Sequence, residues 1–208
     1  MKAIGELLQA SAERHRHLCP RQVLGVRMGV LAGQLLGLDL PQRWKRLFTF
    51  METDGCAADG VSVATGCRVG RRTMRMVDFG KVAATFVDTV TGQAIRIAPH
   101  PESRCHARRY APEGAAPWHA QLVAYQLMPD EELLVAEAVT LTVSLNDIIS
   151  RPGVRVNCQR CGEEIINERE VWLAGECLCR ACAGQAYYIA RSTALAQPGM
   201  TPVEAAEG

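Results

Sequence analysis

The stretch "RLFTFMETDGCAADGVSVATGC", residues 46–67, changes character at its midpoint. Residues 46–53 have the aromatic and β-branched composition of a strand, whereas 55–66 read as a turn followed by a short helix. A strand that turns directly into a helix leaves the first backbone N–H groups of that helix without intrahelical partners. Asp54, Gly55 and Cys56 fall at that junction. A cysteine so placed can have a lowered pKa, which favours thiolate as nucleophile or metal ligand.

Upstream, residues 3–16 have the spacing of an amphipathic helix, with Ile4, Leu7, Leu8 and Ala12 on its apolar side. Pro20 suits the first turn of a second helix running to about Leu38. Gly25, Gly29 and Gly33 recur every four residues along it, a smooth face for close approach of another backbone. Between the two helices, "HRHLCP" (15–20) carries His15, His17 and Cys19 on alternate positions. An extended backbone would point all three the same way.

Downstream, residues 81–99 read as two strands around the turn "TVTGQ". "PESRCHARRYAPEG" (101–114) is a polar connection or a single helical turn, and 117–128 a helix. "PDEELL" (129–134) is an acidic helix start, and "EAVTLTVSL" (137–145) has the composition of a strand. Strands and helices do not alternate strictly, so the core is expected to be α+β with a mixed helix/antiparallel-sheet arrangement.

The Pro-Gly break in "SRPGVRV" (150–156) marks a boundary before "CQRCGEEIINEREVWLAGECLCRAC" (158–182). Cys158, Cys161, Cys179 and Cys182 form two C-x-x-C pairs, the spacing with which four thiolates close a tetrahedron around Zn2+. With all four positions filled by protein, such a zinc is structural. Two disulfides or free thiols are the alternative, disfavoured in a reducing compartment. Cys177 is a spare thiol that could stand in for Cys179, though Cys179 completes the pair. A knuckle, strand-like residues (Ile165, Ile166, Val171, Trp172) and a helix at the second pair resemble a treble-clef zinc finger. The expected organisation is a core domain over 1–152, the finger over 153–192 and a disordered tail over 193–208.

Composition narrows the function classes. The 208 residues carry a net charge of +1 and only 5% aromatics, which argues against a global nucleic-acid or anionic-membrane surface. No uninterrupted apolar run approaches the ~18 residues of a membrane span, and "MKAIGELLQASAERHRH" is a poor secretory signal. A cytoplasmic protein is expected, and nine cysteines there more often hold metal than disulfides. Cys19, Cys56 and Cys67, with His17, read either as buried packing groups and a cap or, beside Glu52, Asp54 and Asp59, as a pocket.

"HRHLCP…LGVRMG", "ETDGCAADGVSVATGC", "DFGKVAATF" and "MPDEELL" resemble, in order over residues 5–150, the FmdE family, named for a molybdenum formylmethanofuran dehydrogenase operon. The resemblance implies an intertwined homodimer of an α+β core followed by a treble clef. It also implies a site built from His17, Cys19 and Cys56, with Asp54, Cys67 and Lys81 nearby. His15, His17, Cys19 and Pro20 match the family pattern H-G-H-x-C-P-G, whereas Arg16 and Arg21 replace its two glycines.

Three functions are therefore expected to compete. The first is a metal-binding accessory or sensor protein, with a second metal of open identity held by His17, Cys19 and Cys56. The second is a thiol-dependent enzyme with Cys56 as nucleophile and His17 as base. The third is a regulator whose finger contacts a protein or, less in keeping with its charge balance, a nucleic acid.

Overall fold

The computed structural model describes residues 3–189 and divides the chain into two units, 1–149 and 150–208. The tail read over 193–208 lies outside the described residues.

In the first unit, helices α1 (Ile4–His15) and α2 (Pro20–Leu36) are followed by β1 (Leu47–Met51) and α3 (Cys56–Thr65). Then come β2 (Met74–Met76), β3 (Ala84–Asp88) and β4 (Ala94–Pro99). The short helix α4 (Ser103–His106), α5 (Pro117–Leu127), α6 (Asp130–Leu133), β5 (Leu134–Ala138) and α7 (Leu145–Ile149) complete it. The five strands form one sheet in the order β2-β1-β3-β4-β5. Only β1 and β2 run parallel, joined by α3 as the crossover that parallel neighbours require.

β1 and β3 are buried along their whole length because both faces of the sheet are covered. Leu47, Met51, Phe86 and Ile97 point into the main core with α2 and α3. Phe48, Phe50, Val87 and Ala94 point the other way, under Val139, Leu141, Leu145 and Ile148. The period-2 alternation of a strand thus feeds two apolar layers.

α2 is the central helix, and the face stepped by glycines is used within the chain. A Cβ at Gly25 would lie 2.2 Å from the Ala57 carbonyl oxygen, and one at Gly60 2.4 Å from that of Gln22. Gly29 meets the Ala64 side chain and Gly33 that of Leu40. α2 and α3 therefore pack backbone to backbone. Midway along α2, the buried Arg27 donates to the Tyr125 and Met128 carbonyls and to Asp130, fixing the end of α5.

Two readings shift. The strand read at 137–145 falls at Leu134–Ala138, because its partner β4 begins at Ala94 and offers only one further bond, from Val139 N–H to the Ala94 carbonyl. Beyond that point the apolar residues serve as a lid on the second apolar layer, and Leu145–Ile149 is helical. β2, three residues long, carries too short a pattern to be read from sequence.

The second unit holds two hairpins, β6 (Arg155–Asn157) with β7 (Glu164–Ile166) and β8 (Val171–Leu173) with β9 (Glu176–Leu178). The helix expected at the second cysteine pair is a single turn within the described residues, Ala181–Gln185, with Gly184 at φ 92°. It is closed by a bond from Gln185 N–H to the Arg180 carbonyl.

Gly25→Ala is expected to cost about 1–3 kcal/mol in urea or thermal unfolding, because a rigid carbonyl rather than a flexible side chain occupies the space. Asp88, 1% exposed, accepts two bonds from Arg46 and others from Val90 N–H and Thr91. The Arg46 guanidinium holds its carboxyl well below the usual carboxylate range. Its contribution is therefore complete above the unfolded-state value of about 4 and is lost as the pH falls below it. Asp88→Asn is expected to be less stable than wild type by about 1–3 kcal/mol at neutral pH, and the gap should close on acidification.

Candidate functional site

The core site forms where α3 begins. β1 delivers the chain to Glu52, whose carboxylate is held by Arg96 at 2.6 and 2.7 Å. The Glu52 carbonyl accepts from Phe79 and Lys81 N–H, so the "DFGK" loop is tied to the same place. Gly55, at φ 84° and ψ −153°, makes the turn, and Cys56 is the first residue of α3. Asp59 lies three residues on, on the same helical face as Cys56.

The second wall comes from the α1–α2 junction. Arg16 ends α1 at φ 63°, and Cys19 stands just before α2. Gln22 fixes that corner: its side-chain oxygen accepts the Cys19 N–H at 2.8 Å. Its amide nitrogen donates to the Ser11 carbonyl and hydroxyl at 2.9 and 3.0 Å.

These walls bring His15, rather than His17, to the thiol. His15 Nε2 lies 3.3 Å from Cys56 Sγ, and His15 Nδ1 lies 3.2 Å from Asp59 Oδ2. With Nδ1–H donating to the carboxylate, Nε2 is free to accept the thiol proton. The exposed His17 ring packs on His15 with centroids 4.9 Å apart. Cys19 is buried beside this pair, near enough to raise the Cys56 pKa.

The lowered pKa expected for a cysteine at a helix start is not found at Cys56. Burial pushes its thiol up, the neighbouring Cys19 pushes it further, and its own backbone hydrogen bond offsets only part of this. Asp54 and Lys81 are exposed. Cys67 lies past the far end of α3, about 15 Å along a helix of ten residues. There its thiol donates to the Leu47 carbonyl and burial raises its pKa. The sequence stretches therefore converge except for Cys67. Gln22 and Ser11, which set the corner, carry no signal beyond their polarity at an apolar position.

In the second unit, Cys158, Cys161, Cys179 and Cys182 place their sulfurs within 4.8 Å of one another. The Cys161–Cys179 sulfur separation of 3.9 Å compares with about 3.8 Å for two thiolates on a tetrahedral Zn2+. Cys179 N–H donates to Cys158 Sγ and Cys182 N–H to Cys179 Sγ, the kind of bond that supports thiolates. Backbone N–H groups lower the Cys158 pKa to about 6, whereas hydrogen bonding to Cys179 and burial push Cys182 up to about 12. Cys177 is not in the group; it is buried in β9 opposite Trp172.

Because Cys19 raises the Cys56 pKa, Cys19→Ala should shift the alkylation profile of Cys56 to lower pH. Iodoacetamide rates across pH 6–10, read by peptide mass spectrometry, test this; an unmoved profile would mean that burial alone sets the thiol.

A curated protein of Archaeoglobus fulgidus, described as a probable S-adenosyl-L-methionine-binding protein, is 27% identical in an alignment of 204 positions, gaps included, that covers 88% of this chain. The chain spans about half of that relative, 54% of its length. The crystal structure of a protein from Syntrophus aciditrophicus, described as tungsten formylmethanofuran dehydrogenase FmdE-like, superposes with a TM-score of 0.59 at 19% identity. That match covers 90% of this chain and 96% of the other, and establishes a shared fold. The family described as "FmdE, Molybdenum formylmethanofuran dehydrogenase operon" matches residues 14–135, which hold both walls of the core site, and the chain belongs to that family.

Proposed function

We propose that the protein is a metal-binding accessory protein, with a structural Zn2+ in the four-cysteine unit and a second, soft metal in the core. The observation that carries this reading is the His15–Cys56 contact, with Asp59 behind the histidine and the buried Cys19 near enough to raise the Cys56 pKa. Two sulfurs and an imidazole suit Zn2+, Ni2+ or Cu+. A carboxylate on the remote ring nitrogen is the usual way to orient a metal-ligating histidine. His17, Asp54 and Lys81 are exposed, where an incoming ligand could meet them. In the four-cysteine unit, Zn2+ would take the place of thiol protons and supply much of the folding free energy of so small a module.

A second reading draws on the same line of atoms. Cys56, His15 and Asp59 stand in the order of a nucleophile, a base and the group that orients the base. Metal binding ranks first because a nucleophile has no use for the adjacent Cys19 sulfur, whereas a metal does.

For the second unit, protein contact is favoured over nucleic acid. Arg151, Arg155 and Arg160 are each paired with a glutamate, Glu168, Glu164 and Glu176, which leaves little basic surface from them. A treble-clef arrangement, a homodimer and a cytoplasmic setting belong to the same proposal. The nine free thiols accord with a reducing compartment. A dimer would have to use a surface other than the glycine face of α2, which α3 fills.

Elemental analysis of purified full-length protein tests the proposal. Wild type should carry two thiolate-held metal equivalents, Cys19→Ser/Cys56→Ser one fewer, and Cys158→Ser/Cys161→Ser should lose the other. Equal metal content in wild type and the core double variant would sink the core-metal reading. A His15→Ala variant whose Cys56 alkylates about tenfold more slowly at neutral pH would then favour thiol chemistry. Thermal shifts with added S-adenosyl-L-methionine would show whether the binding named for the Archaeoglobus relative extends to this chain.

A further inference from the structure

The connection between β4 and α5 carries a group of ligand-type side chains that neither site uses. His100 follows the end of β4, and Glu102 and His106 are four residues apart on the turn of α4. Each offers one ligand atom, and the three atoms lie within 4.8 Å of one another. The two imidazoles are stacked with centroids 5.3 Å apart and planes 26° from parallel.

The segment is held from beneath. His100 N–H donates to the Leu133 carbonyl at 2.8 Å, and His106 N–H and Cys105 N–H close the turn onto the Glu102 carbonyl. His106 Nδ1 lies 3.2 Å from the Glu132 carbonyl oxygen, which can only accept. Nδ1 therefore carries the proton, and His106 is fixed with Nε2 facing outward. That nitrogen stands 3.4 Å from Glu102 Oε2. The two electron-rich atoms face each other there, as two ligands of one metal ion would.

We propose that His100, Glu102 and His106 form a further divalent-metal site, in which two imidazole nitrogens and one carboxylate take Zn2+ or a similar first-row ion. Two histidines and a glutamate are a sufficient protein donor set for Zn2+ and leave a coordination position for water or an external oxygen ligand. The backbone carbonyl on His106 Nδ1 supplies the second-sphere bond that such ligands generally have. Access is from solvent on the Glu102 side, whose side chain is 71% exposed, against 21% for His106. Arg109 is engaged by the Glu132 carboxylate. His100 Nδ1 accepts the Glu102 N–H at 3.1 Å, so its Nε2 carries the proton until one of these bonds is exchanged for the metal. Binding thus pulls the three ligands together and changes the state of His100.

Co2+ added to full-length protein that carries zinc at its cysteine sites only reads the site directly. The expected result is a Co2+ spectrum of nitrogen and oxygen ligation without thiolate charge transfer, which separates it from both cysteine sites. In Glu102→Gln/His106→Ala that signal should weaken by at least about tenfold in affinity, with any thiolate-type bands unchanged. Glu102→Gln alone alters only an exposed side chain, so it should keep the wild-type circular dichroism and still bind more weakly. Equal nitrogen-and-oxygen binding in wild type and Glu102→Gln, or none in wild type, would overturn the proposal.

Discussion

The backbone contact between α2 and α3 is the constraint from which the core site follows. Gly25 and Gly60 let each helix approach a carbonyl of the other, Ala57 and Gln22 respectively, more closely than any side chain would allow. Because Ala57 follows Cys56 and Gln22 holds the Cys19 N–H, this contact fixes the two thiol-bearing helix starts side by side. A shift of α3 by one turn would carry Cys56 about 5 Å away and leave His15 facing no partner. Packing and chemistry are thus the same set of residues. A methyl group at Gly25 is predicted to cost stability, and it would also move the site.

The buried polar groups of this unit act as pins rather than as general stabilisers. Gln22 uses both its acceptor and its donors, to Cys19 and to Ser11, at a position that is fully buried. Arg27 fills the end of α5 in the same way through two carbonyls and a carboxylate. A buried polar group with all its partners present costs little, but losing one partner costs the desolvation of the other. Such groups therefore specify one placement of α1 and α5 on α2 more than they deepen the energy minimum.

Much of the fold was legible because its signals are local. The Pro20 helix start, the β3–β4 hairpin and the two C-x-x-C pairs depend on spacing within a few residues, and each is where the pattern puts it. What was not legible depends on partners distant in sequence. The edge strand ends at Ala138 because β4 runs out at Ala94, a fact of register that the β-rich "VTLTVSL" does not contain. Likewise, alternate positions in "HRHLC" suggest that His15, His17 and Cys19 point together, but His15 closes α1 and Arg16 turns the chain. That turn exchanges the histidine that reaches Cys56. Burial, which pushes the Cys56 thiol up where a helix start alone would lower it, is also invisible locally.

Arg16 clarifies what the family glycines do. It sits at φ 63°, in the left-handed region that favours glycine, so the first glycine of the H-G-H-x-C-P-G pattern answers a backbone requirement that this chain meets with a strained arginine. The cost of that conformation is about 1–2 kcal/mol, borne because the turn delivers His15 and Cys19 to opposite ends of one short loop. Arg21, at an exposed position of the first turn of α2, meets no such requirement. Replacing both glycines therefore leaves the backbone of the corner in place and adds two exposed guanidinium groups around it. The difference from the family pattern is one of charge and access at the rim, while the sulfur and imidazole groups stay where the α2–α3 contact puts them.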